Sequence, residues 1–151
     1  MNYWLAKSEP DTYSIDDLKR DKKTIWEGVR NYQARNFLRE MKVGDLVLFY
    51  HSNAKPPGVI GIAEVCRNAE IDPTQFDKKS DYFDPKATAE KPRWFCPQVK
   101  FKQKFSELIS LDSLKNNKAL QDLPLVQKGS RLSVMPIQKN HFETILNLAS
   151  R

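Results

Sequence analysis

The sequence is poor in the residues that metal centres, disulfide frameworks and membrane spans require. Its 151 residues include 2 cysteines and 2 histidines, and these four side chains have no paired spacing, so no metal site is expected. Two cysteines, Cys66 and Cys96, do not define a disulfide framework, and a reduced, cytoplasmic setting is the expectation. The longest clear apolar run, Leu46–Tyr50, is far below the roughly 20 residues of a membrane span. The N-terminus also lacks the pattern of a signal peptide.

Motifs of the common enzyme classes are missing as well. The sequence has no G-x-S-x-G elbow, no P-loop and no G-x-G-x-x-G loop. The zinc deaminase pattern fails, because neither histidine has Glu two residues further on and Cys96-Pro97 has no second cysteine at the required spacing. Four aspartates lack the order of a calcium-binding loop and are interpreted as solvated loop charges: Asp72, Asp77, Asp81 and Asp84. We therefore expect a non-catalytic protein without a cofactor.

What the sequence does contain is enough apolar material for a core and an excess of positive charge. Hydrophobic residues make up 40% of the chain and charged residues 29%, and no repeat or linker divides it, which predicts one domain over residues 1–151. The formal net charge of +6 favours polyanionic partners, of which nucleic acid is one. A bland soluble surface is the alternative.

Hydrophobic patterning predicts short strands with helices between them. The expected strands are Tyr3–Lys7, Thr24–Glu27, Leu46–His51, Val59–Arg67, Trp94–Phe105 and Arg131–Met135. Helices are expected over Ile15–Arg20 after Ser14, from Asn31 to a stop at Gly44, from Ser110 to about Asn116, and along the C-terminal Phe142, Ile145, Leu146 and Ala149. The arrangement lacks a βαβ rhythm, which favours an α+β fold with a curved sheet or small barrel flanked by helices.

Positive side chains form a candidate surface for a nucleic-acid backbone. Regular alternation along the fifth strand places Val99, Phe101 and Phe105 on one side and three lysines on the other. The helix after Asn31 presents two arginines away from its apolar stripe. The basic surface predicted in this way consists of Arg35, Arg39, Lys100, Lys102 and Lys104.

Three segments carry a resemblance to a known family. They are YWLAKSEP over residues 3–10, WEGVRNYQARN over 26–36 and GDLVLFYHSN over 44–53. Together with shorter motifs through the Leu132-Ser133-Val134-Met135-Pro136 segment, they closely resemble the EVE domain. The resemblance implies a PUA-like fold, a small mixed β-barrel with peripheral helices, related to the YTH and ASCH domains. It also implies a reader of modified bases, including modified cytosines in DNA.

A base reader stacks an extracted nucleotide on an aromatic face and satisfies its polar edge, and Trp26 is the candidate wall. Gly28 allows close backbone approach and Val29 follows it in the same segment. Arg30 is a candidate phosphate or base-edge contact, and Asn31 caps a helix whose N–H groups point outwards. The alternatives are core packing for Trp26, as for Trp4 and Trp94, and a solvated side chain for Arg30.

Further candidates lie at strand ends. The resemblance to YTH domains, which have a Lys-Ser pair at the base pocket, makes Lys7 and Ser8 candidate contacts, with a simple turn as the alternative. His51 and Ser52 end another strand and are candidate donors to a pyrimidine edge, unless the histidine only bonds its neighbours. Ser133 and Met135, on the last strand, are the final two candidates. They either complete the floor of the pocket or pack in the core.

The resulting hypothesis is a nucleic-acid-binding module that reads a modified base, methylated cytosine or a related one, on a flipped or single-stranded nucleotide. The partner is DNA or RNA with such a base, and the sequence does not choose between them. Two alternatives stay open. One is an enzyme, or its substrate-binding subunit, acting on modified nucleosides in RNA, and the other is a sensor of free nucleosides.

Overall fold

The computed structural model describes residues 1–129 and 131–150, and it contains a six-stranded mixed sheet. The strands are β1 (Tyr3–Ser8), β2 (Lys23–Ile25), β3 (Leu46–His51), β4 (Gly58–Ile71), β5 (Phe95–Ser110) and β6 (Val134–Ile137). Their order across the sheet is β2-β5-β4-β3-β1-β6, with β1 and β3 parallel and the other pairs antiparallel. The helices are α1 (Ile15–Asp21), α2 (Tyr32–Glu40), α3 (Leu111–Lys115) and α4 (Lys139–Ala149).

Three helices begin where the sequence predicts, because each has a side-chain cap. Ser14 accepts from the Asp17 N–H in a capping box, Asn31 accepts from the Ala34 N–H, and Ser110 caps α3. The expected stop of α2 at Gly44 is wrong. The chain leaves the helix at Met41, whose extended backbone ends it, and Gly44 lies in the turn before β3 with a φ of +97°.

Both faces of the sheet are buried, each under its own core. The first, the C-terminal core, contains Leu5, Leu48 and Met135 beneath α3 and α4. The second, the N-terminal core, contains Trp4, Ala6 and Phe49 beneath α1 and α2. Adjacent residues of β1 therefore enter opposite cores, as the two-residue period of a strand requires.

The strand β5 departs from the predicted alternation. Val99 and Phe101 pack against the N-terminal core, whereas Phe105 enters the C-terminal core. The reason is a set of register shifts between β4 and β5, one of them where Ile62 pairs with Gln103 and the next residue pairs with Phe101. An extra residue in one strand moves every later side chain to the other face.

Several strand boundaries also differ from expectation. β4 continues to Ile71 and β5 to Ser110, because the two strands stay paired beyond their predicted ends. β2 ends at Ile25 rather than Glu27, and Trp26 donates its backbone N–H to the Pro97 carbonyl as the chain turns away. β6 starts at Val134 rather than Arg131, because its four residues are those that pair with β1. Across the described chain, no helix has the length and apolar character of a membrane span. No group of metal-binding side chains occurs in that part either.

Candidate nucleic-acid interface

A cleft of about 600 Å³ opens beside the end of β1 and the segment that follows β2. Seven of the predicted site residues line it: Lys7, Ser8, Trp26, Gly28, Val29, Arg30 and Ser133. The segments that carry them are far apart in sequence, and the loop before β5 contributes a further wall through Tyr82. The cleft thus joins the YWLAKSEP and WEGVRNYQARN segments in space.

Trp26 has both of the roles considered for it. Its ring packs edge-on against Phe49 of the N-terminal core, with the centroids 5.6 Å apart and the planes at 87°. The side chain is only partly buried and lines the cleft. The core therefore holds the indole in place while part of it stays available to a ligand.

Gly28 is required by its backbone conformation and by its close neighbour. Its φ is +83°, a region that residues with a side chain seldom adopt. A Cβ atom at this position would lie 2.7 Å from the Tyr82 ring, well inside van der Waals contact. The glycine therefore lets the Tyr82 ring approach the backbone of the cleft segment.

The buried carboxylate of Asp72 anchors the same segment. It accepts hydrogen bonds from the backbone N–H groups of Gly28 at 2.9 Å and Thr74 at 2.8 Å. It also faces the Arg30 guanidinium at 3.3 Å. Burial alone would raise the pKa of Asp72, but the hydrogen bonds from Thr74 and Gly28 and the charge of Arg30 outweigh burial and lower it. The sequence prediction of a solvated loop charge is therefore wrong for this residue.

Arg30 is held by the protein at every donor. Its guanidinium donates to the carbonyls of Tyr82 and Val29, to the Thr74 hydroxyl and to Asp72. These bonds use all the N–H groups that an arginine has. The guanidinium also lies over the rings of Tyr82 and Trp94, 5.6 and 5.1 Å from their centroids. In this conformation Arg30 contributes positive charge and rigidity to the cleft wall rather than a free donor.

Lys7 is the cleft cation whose ammonium has no carboxylate partner among residues 1–129 and 131–150. Burial lowers its pKa, and the ammonium lies 5.7 Å from the centroid of the Tyr50 ring. Ser8 beside it donates its hydroxyl to the Tyr13 carbonyl at 2.6 Å. Tyr50 lines a second cavity that Lys7 also borders, and not the cleft. Lys7 therefore lies at the edge of the cleft with an ammonium that, unlike the Arg30 guanidinium, no carboxylate of the described residues engages.

Four predicted pocket residues do not line the cleft. His51 accepts the Ile15 N–H at 3.1 Å through Nε2, and burial lowers its pKa, so the neutral ring is favoured. Met135 is fully buried in the C-terminal core, opposite Leu5 in β1. Asn31 caps helix α2 by accepting the Ala34 N–H. Ser52 donates its backbone N–H to the Ser8 carbonyl at the end of β1.

The lysines of the predicted basic surface are engaged in ion pairs. Lys100 and Lys102 both pair with Glu64, at 3.2 and 3.3 Å, and Lys104 pairs with Asp16 at 2.7 Å. All three remain solvent-exposed, but the two carboxylates offset much of their local charge. This face is therefore less positive than its lysines alone imply.

The two arginines of the basic surface lie on aromatic rings. The guanidinium of Arg35 is 4.9 Å from the Tyr32 ring centroid, and that of Arg39 is 4.4 Å from the centroid of Phe95. Tyr32 in turn stacks on Trp94 with a centroid separation of 4.9 Å. These contacts hold α2 against the start of β5, and Trp94 lies in this stack rather than in the cleft.

Sequence reasoning missed several cleft residues. Tyr82 lies in a loop from which no site residue was predicted, and Glu27 lies between two predicted residues without having been chosen. Glu9 and Tyr13 also line the cleft, from the turn after β1. The loop has three aromatic residues, Phe76, Tyr82 and Phe83, which could have indicated a wall for the cleft but would not have singled out Tyr82.

Comparison with known proteins places this architecture in a defined class. The EVE domain matches residues 2–148, and the chain belongs to the EVE domain family. Thymocyte nuclear protein 1 from Rattus norvegicus is 42% identical over 166 residues, which cover 97% of this chain and 73% of that protein. The family prediction from the three sequence segments is confirmed.

Solved structures show the same fold. A protein from Pseudomonas syringae superposes with a TM-score of 0.95 at 51% identity, covering 97% of this chain and 99% of that one. The human THYN1 protein in complex with 5-methylcytosine-containing DNA superposes with a TM-score of 0.94 at 36% identity, covering 100% and 99%. A YTH domain from Zygosaccharomyces rouxii, at 15% identity and a TM-score of 0.56, covers 98% and 86% and shows the fold alone. The predicted PUA-like, α+β fold is confirmed.

The expected cytoplasmic location is contradicted. The relatives from Rattus norvegicus and Mus musculus, which match 97% of the chain, are both named thymocyte nuclear protein 1, a name that points to the nucleus for those proteins. The expectation was based on cysteine content and on the lack of a signal peptide pattern. Both features are shared by cytoplasmic and nuclear proteins, because neither group depends on disulfides or on secretion.

Proposed function

We propose that this protein is a binding module that reads a modified base in nucleic acid, a methylated cytosine or a related base. The observation that carries the proposal is the cleft of about 600 Å³ with Trp26 in its wall and Lys7 at its edge. The human relative in complex with DNA containing 5-methylcytosine supports the choice of base. The nucleotide would enter the cleft flipped out of a duplex or from a single strand.

The cleft residues have distinct roles in this proposal. Trp26 stacks on the base, and stacking on an aromatic side chain contributes about 1–3 kcal/mol whichever base is present. Gly28, Val29 and Ser133 shape the walls, and Ser8 lies beside the phosphate contact made by Lys7. Stacking and the phosphate contact supply affinity, whereas preference for the modification depends on the fit around the methyl group.

The size of the methyl preference follows from burial. One buried methyl group contributes about 0.8 kcal/mol, and a well-fitted pocket separates ligands that differ by one such group by roughly 10-fold to 200-fold. Phosphate contacts weaken as salt increases, while the methyl contact does not. Methyl preference that persists at high salt is therefore the signature of the pocket.

We further propose binding rather than catalysis. The human relative in complex with DNA that contains 5-methylcytosine supports a role in holding the base. The buried thiol of Cys96 is a poor nucleophile, since burial raises its pKa to about 12. Incubation with modified oligonucleotides followed by mass spectrometry tests this point, and any change in oligonucleotide mass would overturn it.

The direct test is fluorescence anisotropy with labelled oligonucleotides. Matched DNA and RNA strands carry cytosine or 5-methylcytosine at one central position, and each is titrated at two salt concentrations. We expect a methyl preference of about tenfold or more that survives the higher salt. Equal binding of both bases that collapses with salt would refute the proposal.

Variants at Trp26 and at two lysines separate the cleft from the basic surface. Trp26→Ala should weaken binding and also remove the methyl preference, because a base without its stacking wall is no longer held in the position where its methyl group is enclosed. Trp26→Phe, which keeps an aromatic face, should retain most of the preference. Replacing Lys100 and Lys102 with alanine should weaken all oligonucleotides alike. If Trp26→Ala leaves the preference intact while the protein stays folded, this cleft is not the base pocket.

A further inference from the structure

The cleft contains acidic side chains although its proposed ligand is a polyanion. Glu9 and Glu27 both line it, in a chain with a net charge of +6. Glu27 lies between Trp26 and Gly28 in the sequence, next to the proposed stacking wall. The residue is exposed, and within residues 1–129 and 131–150 its carboxylate forms no ion pair.

The surroundings of Glu27 favour a donor group in the cleft. The Glu27 residue is exposed at the cleft, but partial burial of its carboxylate raises the pKa of Glu27, and the nearby charge of Asp72 raises it further, while the charge of Arg30 acts in the opposite direction. A hydrogen bond donated to the ionised carboxylate would offset this rise. A carboxylate repels phosphate, and an ionised one can only accept hydrogen bonds. Its natural ligand in a base-binding cleft is therefore an amine on the edge of a base.

We propose that Glu27 accepts a hydrogen bond from the N4 amine of a cytosine stacked on Trp26, and thereby distinguishes 5-methylcytosine from thymine. This inference rests on the proposed function, since it assumes that the base occupies this cleft. It assigns Glu27 as a specificity-determining residue.

The need for such a residue follows from the chemistry of the two bases. Thymine and 5-methylcytosine carry the same methyl group at C5 on rings of the same size, so stacking and methyl burial do not separate them. They differ at position 4, where cytosine has an amine donor and thymine has a carbonyl acceptor. They also differ at N3, which is an acceptor in cytosine and an N–H donor in thymine. A carboxylate at position 4 accepts from the amine and repels the carbonyl, whereas a carboxylate at N3 would favour thymine, so the contact assigned to Glu27 is the one at position 4.

Glu9 provides a matched control. It lines the same cleft and has the same charge, but it lies in the turn after β1, where its carbonyl accepts from the N–H groups of Thr12 and Tyr13. It is not adjacent to the stacking residue in the sequence. Removal of its charge should strengthen binding of all oligonucleotides without changing their order.

The experiment uses the full chain and single-stranded DNA oligonucleotides that differ only in one central base: cytosine, 5-methylcytosine, uracil or thymine. The wild-type protein should prefer 5-methylcytosine to thymine by about tenfold or more. Glu27→Gln should bring this ratio to within about threefold, because the amide can both donate and accept. The ratio of 5-methylcytosine to cytosine should stay unchanged, as should all ratios in Glu9→Gln.

The possible outcomes distinguish this inference from the proposed function on which it rests. If the wild-type protein prefers 5-methylcytosine to cytosine but Glu27→Gln keeps the wild-type preference over thymine, the inference is overturned and the proposed function stands. If the wild-type protein prefers no methylated base, both are overturned. Glu27→Ala, checked by circular dichroism and urea unfolding, is a second variant that should also lose the discrimination if Glu27→Gln does not fold.

Discussion

The backbone N–H of Gly28 donates a 2.9 Å hydrogen bond to the carboxylate of Asp72, 44 residues further along the chain. Asp72 also donates its own N–H to the carbonyl of Trp94, close to the start of β5. One buried residue, through its carboxylate and its backbone N–H, therefore joins the segment after β2 to both ends of the loop that carries Tyr82. The geometry of the cleft depends on this connection.

Replacement of Asp72 by asparagine should weaken the fold and the cleft together. The variant leaves the charge of Arg30 without its partner. It also replaces one accepting oxygen of Asp72 with an amide N–H₂ group, which is itself a donor and faces the N–H donors of the protein, at a cost of about 1–3 kcal/mol. Urea unfolding at pH 7 measures this difference. Asp81→Asn, in an exposed part of the same loop, is the control and should unfold like the wild-type protein.

The effect of Asp72 should depend on pH in a defined direction. Its pKa is lowered in the folded protein, so its contribution to stability is present above the unfolded value of about 3.9 and is lost as the pH falls through the folded value. The stability difference between wild type and Asp72→Asn should therefore be large at pH 7 and shrink as the pH falls below about 3.9. A difference that stays constant over this range would contradict this assignment.

Substitution of Gly28 by alanine should destabilise the fold even when the Tyr82 side chain, which lies against Gly28, is removed. The positive φ alone costs about 1–2 kcal/mol for a residue with a Cβ atom. The new methyl group also displaces the Tyr82 ring, which lies 2.7 Å from its position. In a Tyr82→Ala background the clash disappears and the backbone cost remains. Unfolding curves of both single variants and the double variant separate the two terms, and full recovery in the double variant would refute the backbone term.

The hydrogen bond from Ile15 to His51 makes a second pH-dependent prediction. Burial lowers the pKa of His51, and its Nε2 must be unprotonated to accept the Ile15 N–H. The folded state therefore resists protonation, and stability should fall as the pH decreases below about 6.5, the unfolded value. His51→Gln keeps an acceptor but does not titrate, so this part of the decline should disappear. Equal pH profiles for the two proteins, each of which retains His141, would show that His51 is not responsible.

The two cysteines should differ strongly in reactivity. Burial raises the pKa of Cys96 to about 12, so at pH 8 only about one molecule in 10,000 carries the thiolate. Cys66 is only partly buried. Brief treatment of the folded protein with iodoacetamide, followed by peptide mass spectrometry, should find the label on Cys66. Equal labelling of both thiols under native conditions would contradict the burial of Cys96.

Local signals predicted the parts of the fold that local interactions determine. The caps at Ser14, Asn31 and Ser110 act within a single helical turn, and the structure confirms them. The side on which Phe105 lies depends instead on register shifts between two strands, which no pattern within β5 alone encodes. Pairing with a distant strand overrides the expected alternation.

The cleft residues differ in the same way: some were predicted from local signals, and others depend on tertiary contacts. Trp26 and Gly28 were identified because an aromatic wall and a close backbone approach have recognisable residue types. Tyr82 reaches the cleft only because Asp72 folds the loop back, and that contact is tertiary. Met135 was assigned to the pocket from its place near a strand end, but its register opposite Leu5 directs it into the core.

The register shifts of β5 make chain length a stricter constraint than residue type in this strand. Deleting one residue ahead of Phe105 would reverse the face on which each later side chain lies, turning the Phe105 ring to solvent and a polar neighbour inward. The part of the loop after Tyr82 that is exposed, residues 88–91, has no such constraint, because its side chains do not alternate between two faces of a sheet. Insertions that evolution or engineering adds to this domain should therefore accumulate in the loop and spare β5.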